Sequence, residues 1–485
     1  SSNVNEVERS FKLHCCSKLR DFVFKYEDLL GKEIWDVLDE EIQQDPGAFL
    51  SAINSYASRK GNLPIYLLID EYDNFTNTIL STYGTEYYQK ATHGEGFVRG
   101  FFNVIKAATT GTGSALQRMF ITGVSPVTMD DVTSGFNIGT NITTDPWFND
   151  LVGFSEAELR EMLTYYKEQG VLMQTVDETI VMMKPNYDNY CFSEEKLAQC
   201  MFNSDMALYF MKSFVLHHVK PKEIVDPNIR TDFNKLAYLI RLDHGLGENF
   251  SVIKEIAEQG EITTDIATHF SALEMTDVRN FKSLLFYFGL LSIKGVDMVG
   301  RPILHVPNLV VREQLFSFLI RGYIKHDIFK IDMNRMTMLF ENMAFRGDWK
   351  PLFNFIAEAI REQSRIREYI EGEAHIKGFL LAYLGMYRYY QLYPEYELNK
   401  GFADFLFKPS PSVPVMPPLT YLLEVKYAKA GTSEKEIRAL ADEAREQLLR
   451  YSQDELVAEA KAKGGLKLIT IVWCSWELVL LEEVL

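Results

Sequence analysis

The sequence predicts a multidomain protein that combines a parallel α/β region, a largely helical middle and a C-terminal α+β domain. Its 485 residues are 47% hydrophobic and 24% charged, which is typical of a folded chain with more than one buried core. Two apolar runs separated by helical sequence predict neighbouring parallel strands near the N-terminus. A helix-strand-strand-helix-strand pattern predicts a compact mixed domain in the C-terminal part.

Charge and cysteine spacing narrow the class of protein. The formal net charge of −17 argues against a polybasic protein, so any nucleic acid would have to contact a local patch. The cysteines show no CxxC spacing, which supports neither a zinc site nor a disulfide framework and favours a reducing cytoplasm. No apolar run reaches the roughly 18 residues of a membrane span. The opening SSNVNEVERSF lacks a signal-peptide pattern and indicates a cut edge, with sequence missing upstream.

The N-terminal region is predicted to contain helices followed by two strands. Residues 1–60 carry apolar positions at helical spacing, with a break at Pro46-Gly47. The continuous apolar run from Leu63 to Phe75 then predicts a strand buried on both faces, and the run from Met119 to Val124 predicts its neighbour. Polar residues that follow both runs are expected to meet at one edge of the sheet, where such sheets bind ligands.

The end of the first run has the form of a Walker B strand. Asp70 would be delivered to a Mg²⁺ water and Glu71 to the attacking water of a phosphoryl transfer. Thr122 ends the second strand, where such folds place a polar residue that senses the γ-phosphate. An apolar strand that ends in Asp-Glu also occurs without any such function.

The middle of the chain is predicted to be mainly helical. Helical sequence begins at a capping box that starts with Ser155. From Phe281 to Asn308 the pattern changes to a helix followed by a β-hairpin, which fits a winged-helix-like module. Such a module would place Arg301 or Lys294 on DNA through its wing, or serve as a partner interface or rigid connector.

The sharpest chemical signal is an acidic residue followed by a carboxylate and a lysine on a second strand. Asp404 lies in GFADFLF, and Glu424 and Lys426 lie in YLLEVKY. Residues two apart on a strand face the same side, so Glu424 and Lys426 are expected to point together. If the strands form a hairpin, Asp404 and Glu424 would hold one Mg²⁺ or Mn²⁺, and Lys426 would position water or stabilise developing charge.

These residues resemble the motif of the PD-(D/E)XK phosphodiesterase superfamily, whose core has the same helix-strand-strand-helix-strand order. The resemblance implies two further site residues, Glu373 on the preceding helix and Gln447 on the following helix, where Tyr451 completes a QxxxY-type element. The proline that commonly precedes the aspartate is absent. An exposed E-x-K strand by itself is more often structural than catalytic.

Most of the chain resembles a bacterial family in which an AAA-ATPase-like domain is fused to a C-terminal PD-(D/E)XK nuclease domain. The resemblance is carried by these segments: LIDEYD, FITGVSPVTMDDVTSGFNIGTNIT, GFSEAEL, KPNYDNYCF, FGLLS and HVPNLVVRE. The sequence contains no G-x-x-x-x-G-K-[ST], the Walker A element that the family carries upstream. The chain alone is therefore expected to hydrolyse ATP poorly or not at all.

Four domains follow from these predictions: an AAA-ATPase-like domain with an incomplete P-loop-type sheet at 1–153, a helical lid at 154–250, a winged-helix-like module at 251–333, and a restriction-endonuclease-like domain at 334–485. The predicted function is a bacterial, cytoplasmic, metal-dependent nuclease regulated by the ATPase-like half, in defence or mobile-element control. The alternative is an NTP-dependent switch or scaffold that binds nucleic acid or a partner without cleavage. Predicted cofactors are Mg²⁺ or Mn²⁺, with ATP only if the upstream P-loop is present; predicted partners are nucleic acid, preferably DNA, and a second copy of the chain.

Overall fold

The computed structural model describes residues 2–61, 63–111, 113–132, 139–217, 221, 248–325, 331–362, 372–387, 389–398, 401–410, 413 and 415–484. The α-helices are α1 (Ser2–Lys25), α2 (Glu27–Leu30), α3 (Pro46–Gly61), α4 (Asn74–Tyr83), α5 (Thr85–Thr92), α6 (Phe97–Thr110), α7 (Val127–Val132), α8 (Glu156–Glu168), α9 (Val176–Tyr187), α10 (Ser204–His217), α11 (Glu248–Gln259), α12 (Val278–Tyr287), α13 (Leu309–Lys325), α14 (Met333–Arg346), α15 (Lys350–Glu362), α16 (Glu373–Leu384), α17 (Glu434–Tyr451) and α18 (Glu455–Ala462).

The strands are β1 (Ile65–Ile69), β2 (Leu116–Ile121), β3 (Glu261–Thr263), β4 (Ser292–Val296), β5 (Pro302–His305), β6 (Tyr390–Leu398), β7 (Gly401–Pro409), β8 (Thr420–Ala428), β9 (Leu466–Cys474) and β10 (Glu477–Glu483). Two compact units contain these elements, the first formed by 1–142 with 265–288 and the second by 143–264 with 289–485. The predicted boundaries at 153/154, 250/251 and 333/334 stay predictions.

In the first unit, β1 and β2 lie parallel and adjacent, as the two apolar runs predict. Their register places Leu67 opposite Met119 and Ile69 opposite Ile121. The predicted break at Pro46 coincides with the start of α3, where proline costs no helical hydrogen bond. One face of the strand pair packs on a core that includes Phe49 from α3. That this sheet is of the P-loop type stays a prediction.

The expectation that the first strand is buried on both faces is wrong in this structure. Tyr66 is 63% exposed and Leu68 75% exposed, and Phe120 of β2 is also exposed. The alternating pattern arises because helices of the described residues cover one face of this two-stranded sheet, whereas parallel sheets are commonly covered on both.

The helical part of the second unit begins where the sequence predicts. Ser155 and Glu158 form a complete capping box at the start of α8, and Thr175 begins α9 in the same way. A core that includes Leu159 and Tyr187 joins α8, α9 and α10. Two short antiparallel bridges, Phe154 with Phe202 and Tyr190 with Met201, connect the intervening segments.

The predicted hairpin near residue 300 is present as β4 and β5, and β3 pairs with the other side of β5 to give the order β3-β5-β4. Lys294 on β4 forms an ion pair with Glu261, and Arg301 forms one with Asp297. All of this sheet lies in the second unit. A winged-helix identity for the region stays a prediction.

The C-terminal domain is a five-stranded sheet of order β10-β9-β8-β7-β6, in which β8 and β9 are parallel and the other neighbours antiparallel. The predicted order of one helix, two strands, one helix and one strand is therefore incomplete. Strand β6 precedes the predicted hairpin, and β10 follows the last predicted strand. Helix α17 packs across β7, β8 and β9.

The SGFN segment at 134–137, one of the segments that carry the family resemblance, lies outside the described residues. Among the residues that are described, no helix has the length and apolar character needed to cross a membrane.

Candidate active site

Strands β7 and β8 separate at Asp404 and Glu424. Their ladder ends at the pair Phe405 and Leu423, so the next position places Asp404 and Glu424 opposite each other. Beyond the last pair of the ladder, the Val425 N–H donates a 2.6 Å hydrogen bond to Oδ2 of the Asp404 side chain. We call the point where β7 and β8 separate, at Asp404 and Glu424, the fork. The fork positions both carboxylates.

Glu424 and Lys426 share a face of β8, as their two-residue spacing predicts. Lys426 Nζ lies 3.6 Å from Glu424 Oε1 and 3.0 Å from Glu443 Oε1 on α17. Glu443 was not predicted from the sequence, because its contact with Lys426 depends on how α17 packs on the sheet. The lysine is therefore held between the buried strand carboxylate and the helix carboxylate.

The environment of the two strand carboxylates disfavours negative charge. Asp404 and Glu424 side chains are 6% and 4% exposed. Burial raises the pKa of Asp404, although the Lys377 ammonium opposes this. Burial, and next the charge of Asp404, raises the pKa of Glu424. Burial lowers the pKa of Lys426, but Glu443 and Glu424 outweigh it and keep the pKa above its ordinary value.

Glu373, the predicted helix carboxylate, is linked to Asp404 by an ion-pair partner that both share, Lys377. Lys377 lies four residues later on α16, and its Nζ is 2.9 Å from Glu373 Oε1. The same ammonium contacts Asp404 Oδ1 and lies 3.2 Å from Glu395 Oε1 on β6. Lys377 and Glu395 were not found from the sequence; the four-residue spacing of Glu373 and Lys377 on a helix was the available signal.

Three buried polar atoms of the C-terminal domain, on β8, α17 and β9, make no hydrogen bond within the described residues. Glu424 Oε2 is buried and makes no hydrogen bond within the described structure. The same holds for Gln447 Oε1 on α17 and for Thr470 Oγ1, which belongs to the residue opposite Glu424 on β9. Because buried polar atoms are normally satisfied, the free Glu424 oxygen fits a site that accepts a cation, a water or a substrate group. In the part of the chain that the structure describes, no hydrogen bond joins Gln447 to Asp404 or Glu424.

Asp404 and Glu424 fit a hard divalent cation. They offer carboxylate oxygens, one of them unsatisfied, and Mg²⁺ is commonly bound by one or two carboxylates with waters. Within the described residues, no three or more His, Cys, Asp or Glu side chains are grouped as metal ligands. A site with two protein ligands is thus the arrangement that these residues support.

In the first unit, Asp70 and Thr122 are brought together at the ends of β1 and β2. Thr122 Oγ1 donates a 2.5 Å hydrogen bond to Asp70 Oδ1 and accepts one of 3.3 Å from the Glu71 N–H. Glu71 has a left-handed backbone with φ of 51°, and its Oε2 accepts from Asn74 Nδ2. The three predicted residues therefore meet at the sheet edge, and all lie at or near the protein surface.

Asp73 is a third acidic residue at this edge and was missed from the sequence. It is fully buried and accepts hydrogen bonds from the N–H groups of Val124 and Ser125 and from Asn77 Nδ2. These bonds attach the segment after β1 to the segment after β2. Asp73 is thus a structural anchor for the position of Asp70 and Thr122.

Two segments of the chain match known protein families. Residues 371–483 match the PD-(D/E)XK nuclease superfamily. This PD-(D/E)XK segment contains all five residues predicted for the nuclease site. Residues 1–133 match a family described as predicted AAA-ATPase, and this AAA-ATPase-like segment contains Asp70, Glu71 and Thr122. The two matches confirm the predicted resemblance. No curated protein and no solved structure matches the chain.

The PD-(D/E)XK match supports a metal-dependent nuclease, because members of this superfamily generally use divalent ions such as Mg²⁺. It likewise suggests that the domain binds nucleic acid. The C-terminal sheet is consistent with the superfamily's fold.

Proposed function

We propose that the C-terminal domain is a divalent-metal-dependent phosphodiesterase that cleaves nucleic acid. The observation that carries the proposal is the pair of buried carboxylates, Asp404 and Glu424, at the fork of the sheet, with Lys426 on the same face. A cation bound there would lower the pKa of a water and offset phosphate charge. Lys426 would hold a charged N–H group toward the phosphate or the attacking water.

The other predicted residues have supporting roles in this proposal. Glu373 fixes Lys377 against Asp404, and Gln447 offers an unsatisfied buried oxygen on the helix that covers the site. Regulation by the AAA-ATPase-like half, through Asp70, Glu71 and Thr122, is part of the proposal, as is a setting in defence or mobile-element control. Both rest on the family resemblance.

A second candidate is a protein that binds nucleic acid or a partner without cutting. The observation that favours it is that both oxygens of Asp404 already have partners, Lys377 and the Val425 N–H. A metal ligand must then share its lone pairs with these donors.

The test is cleavage of plasmid, linear and single-stranded DNA and of RNA with Mg²⁺ or Mn²⁺. Asp404→Asn and Lys426→Met are each expected to reduce the cleavage rate by about a hundredfold or more, because the first removes a charged metal ligand and the second removes positive charge beside the reacting phosphate. Asp442→Asn and Lys463→Met change exposed residues of the same domain and serve as matched controls. Equal rates in the wild type and both site variants would contradict the proposal and favour the binding protein.

A further inference from the structure

Lys377 lies at the centre of an acidic cluster formed by Glu373, Glu395 and Asp404. Its Nζ is 2.9 Å from Glu373 Oε1 and 3.2 Å from Glu395 Oε1, and it contacts Asp404 Oδ1. An ammonium group has three N–H donors, and here three carboxylates from a helix and two strands accept them. The side chain is 18% exposed, so water competes only weakly for these bonds.

The backbone conformation of Glu395 indicates that the surrounding structure fixes the position of this residue. Glu395 has a φ of 44°, an uncommon conformation for a residue with a side chain, and Pro394 precedes it. Its neighbours Pro394 and Tyr396 pair with Phe405 and Ala403, which places Glu395 opposite Asp404. A left-handed residue costs about 1 kcal/mol or more and persists where its surroundings impose it.

Asp404 is shared between this cluster and the proposed metal pair. On one side it faces Glu424, and on the other its Oδ1 meets the Lys377 ammonium. In two-metal phosphodiesterase sites, the two ions lie about 4 Å apart and stabilise the attacking and leaving oxygens. Here, within the described part of the chain, Glu373, Glu395 and Asp404 are neutralised by a side-chain cation, Lys377, and not by a metal-ligand grouping of their own.

We propose that Lys377 takes the place of a second metal ion, so that the site binds one divalent cation, at Asp404 and Glu424. Lys377 is therefore a positioning residue. It neutralises the acidic cluster and fixes Asp404 Oδ1, while Asp404 and Glu424 together bind the metal. The inference rests on the proposed function of the same site.

The number of bound Mn²⁺ ions tests the inference without measuring cleavage. Mn²⁺ is titrated into the full chain, and free Mn²⁺ is followed by electron paramagnetic resonance. The wild type is expected to bind about one ion per chain at this site, lost in Glu424→Gln. Lys377→Met is expected to bind about two, because three carboxylates are then left without their counter-cation, and adding Glu395→Gln should remove the second ion.

Two further variants guard the result. Lys377→Gln keeps N–H donors without charge, is a milder change should Lys377→Met fold poorly, and is also expected to gain an ion. Lys463→Met, which removes an exposed lysine paired with Glu459, is expected to stay at one.

The outcomes separate the two proposals. Two ions in the wild type, or one in a folded Lys377 variant, would overturn the role of Lys377 and leave the proposed nuclease standing. No ion in the wild type would overturn the metal site and the inference together. One ion gained by the Lys377 variants, with no cleavage by any form of the chain, would support the inference and contradict the nuclease.

Discussion

Individual side chains in the C-terminal sheet show which site residues a sequence can reveal. Glu424 and Lys426 could be predicted to share a face, because strand geometry fixes the orientation of residues two apart. Lys377, Glu395 and Glu443 could not be assigned in this way. Their contacts depend on the register between β6 and β7 and on helix packing, which no short spacing in the sequence encodes.

His305 on β5 gives a pH prediction. Burial lowers its pKa to about 4, Lys294 adds to this, and Glu261 opposes it. In the unfolded chain the imidazole titrates near 6.5, so between about pH 6.5 and 4 the unfolded state binds more protons. The free energy of unfolding should therefore fall as pH falls through this range, by at most about 3 kcal/mol from this residue.

Urea unfolding of the second unit at pH 7 and pH 4.5 measures this effect. His305→Gln is expected to lose less stability than the wild type on acidification, because glutamine does not titrate. His14→Gln, at an exposed histidine of α1, is the control and should follow the wild type. An identical acid loss in the wild type and His305→Gln would contradict the prediction.

Three features of the strands could not be predicted from the sequence, and each has a physical reason. Pro394 within β6 argues against a strand, yet β6 is an edge strand, where a residue without an N–H can be accommodated. Strand β10 follows a tight turn that contains Ser475, with φ of 56°, and no glycine or asparagine marks this turn. The open face of β1 was missed because a continuous apolar run indicates burial without showing what covers the strand.

The bridge between Tyr190 and Met201 predicts a second pair of neighbours, Cys191 and Cys200. Tyr190 and Met201 exchange both backbone hydrogen bonds, so the next pair is non-hydrogen-bonded, with Cα atoms about 4.5 Å apart. That separation permits a disulfide. The neighbouring Cys200 thiol lowers the pKa of Cys191 below its ordinary value, and burial opposes this.

We expect diamide, which accepts two hydrogen atoms, to join Cys191 and Cys200 in a disulfide. Peptide mass spectrometry should show the two cysteine peptides linked and lighter by about 2 Da, as the loss of two hydrogens requires. Cys200→Ser should abolish the linked peptide, and Cys474→Ser should not. Failure to form this link at high diamide would show that the bridge has a different register.

At the scale of the whole molecule, the sequence predicted the families of the N-terminal and C-terminal segments better than it predicted how the elements between them are grouped. Both family matches fall on segments whose motifs lie within a strand or directly after one, where the orientation of side chains follows from local rules. The region between them has helices and a hairpin whose grouping depends on distant contacts, and residues 265–288 join the first unit although their neighbours in sequence belong to the second.

For the 485 residues of this sequence, we predict no ATP turnover above background. The sequence has no G-x-x-x-x-G-K-[ST], and the Asp70 carboxylate is bonded to Thr122. Phosphate release with Mg²⁺ and ATP should be the same for the wild type and Asp70→Asn. Turnover in the wild type that Asp70→Asn abolishes would contradict the prediction.

The fork between β7 and β8 also limits how this protein can evolve. Asp404 closes the end of a strand pairing, so a descendant that lost it to alanine would leave the Val425 N–H unsatisfied, at a cost of about 1–3 kcal/mol. Asparagine keeps an oxygen acceptor and avoids that cost. A lineage that abandons cleavage is therefore expected to pass through asparagine at position 404, and its inactive members should keep the shape of the site long after its chemistry is gone.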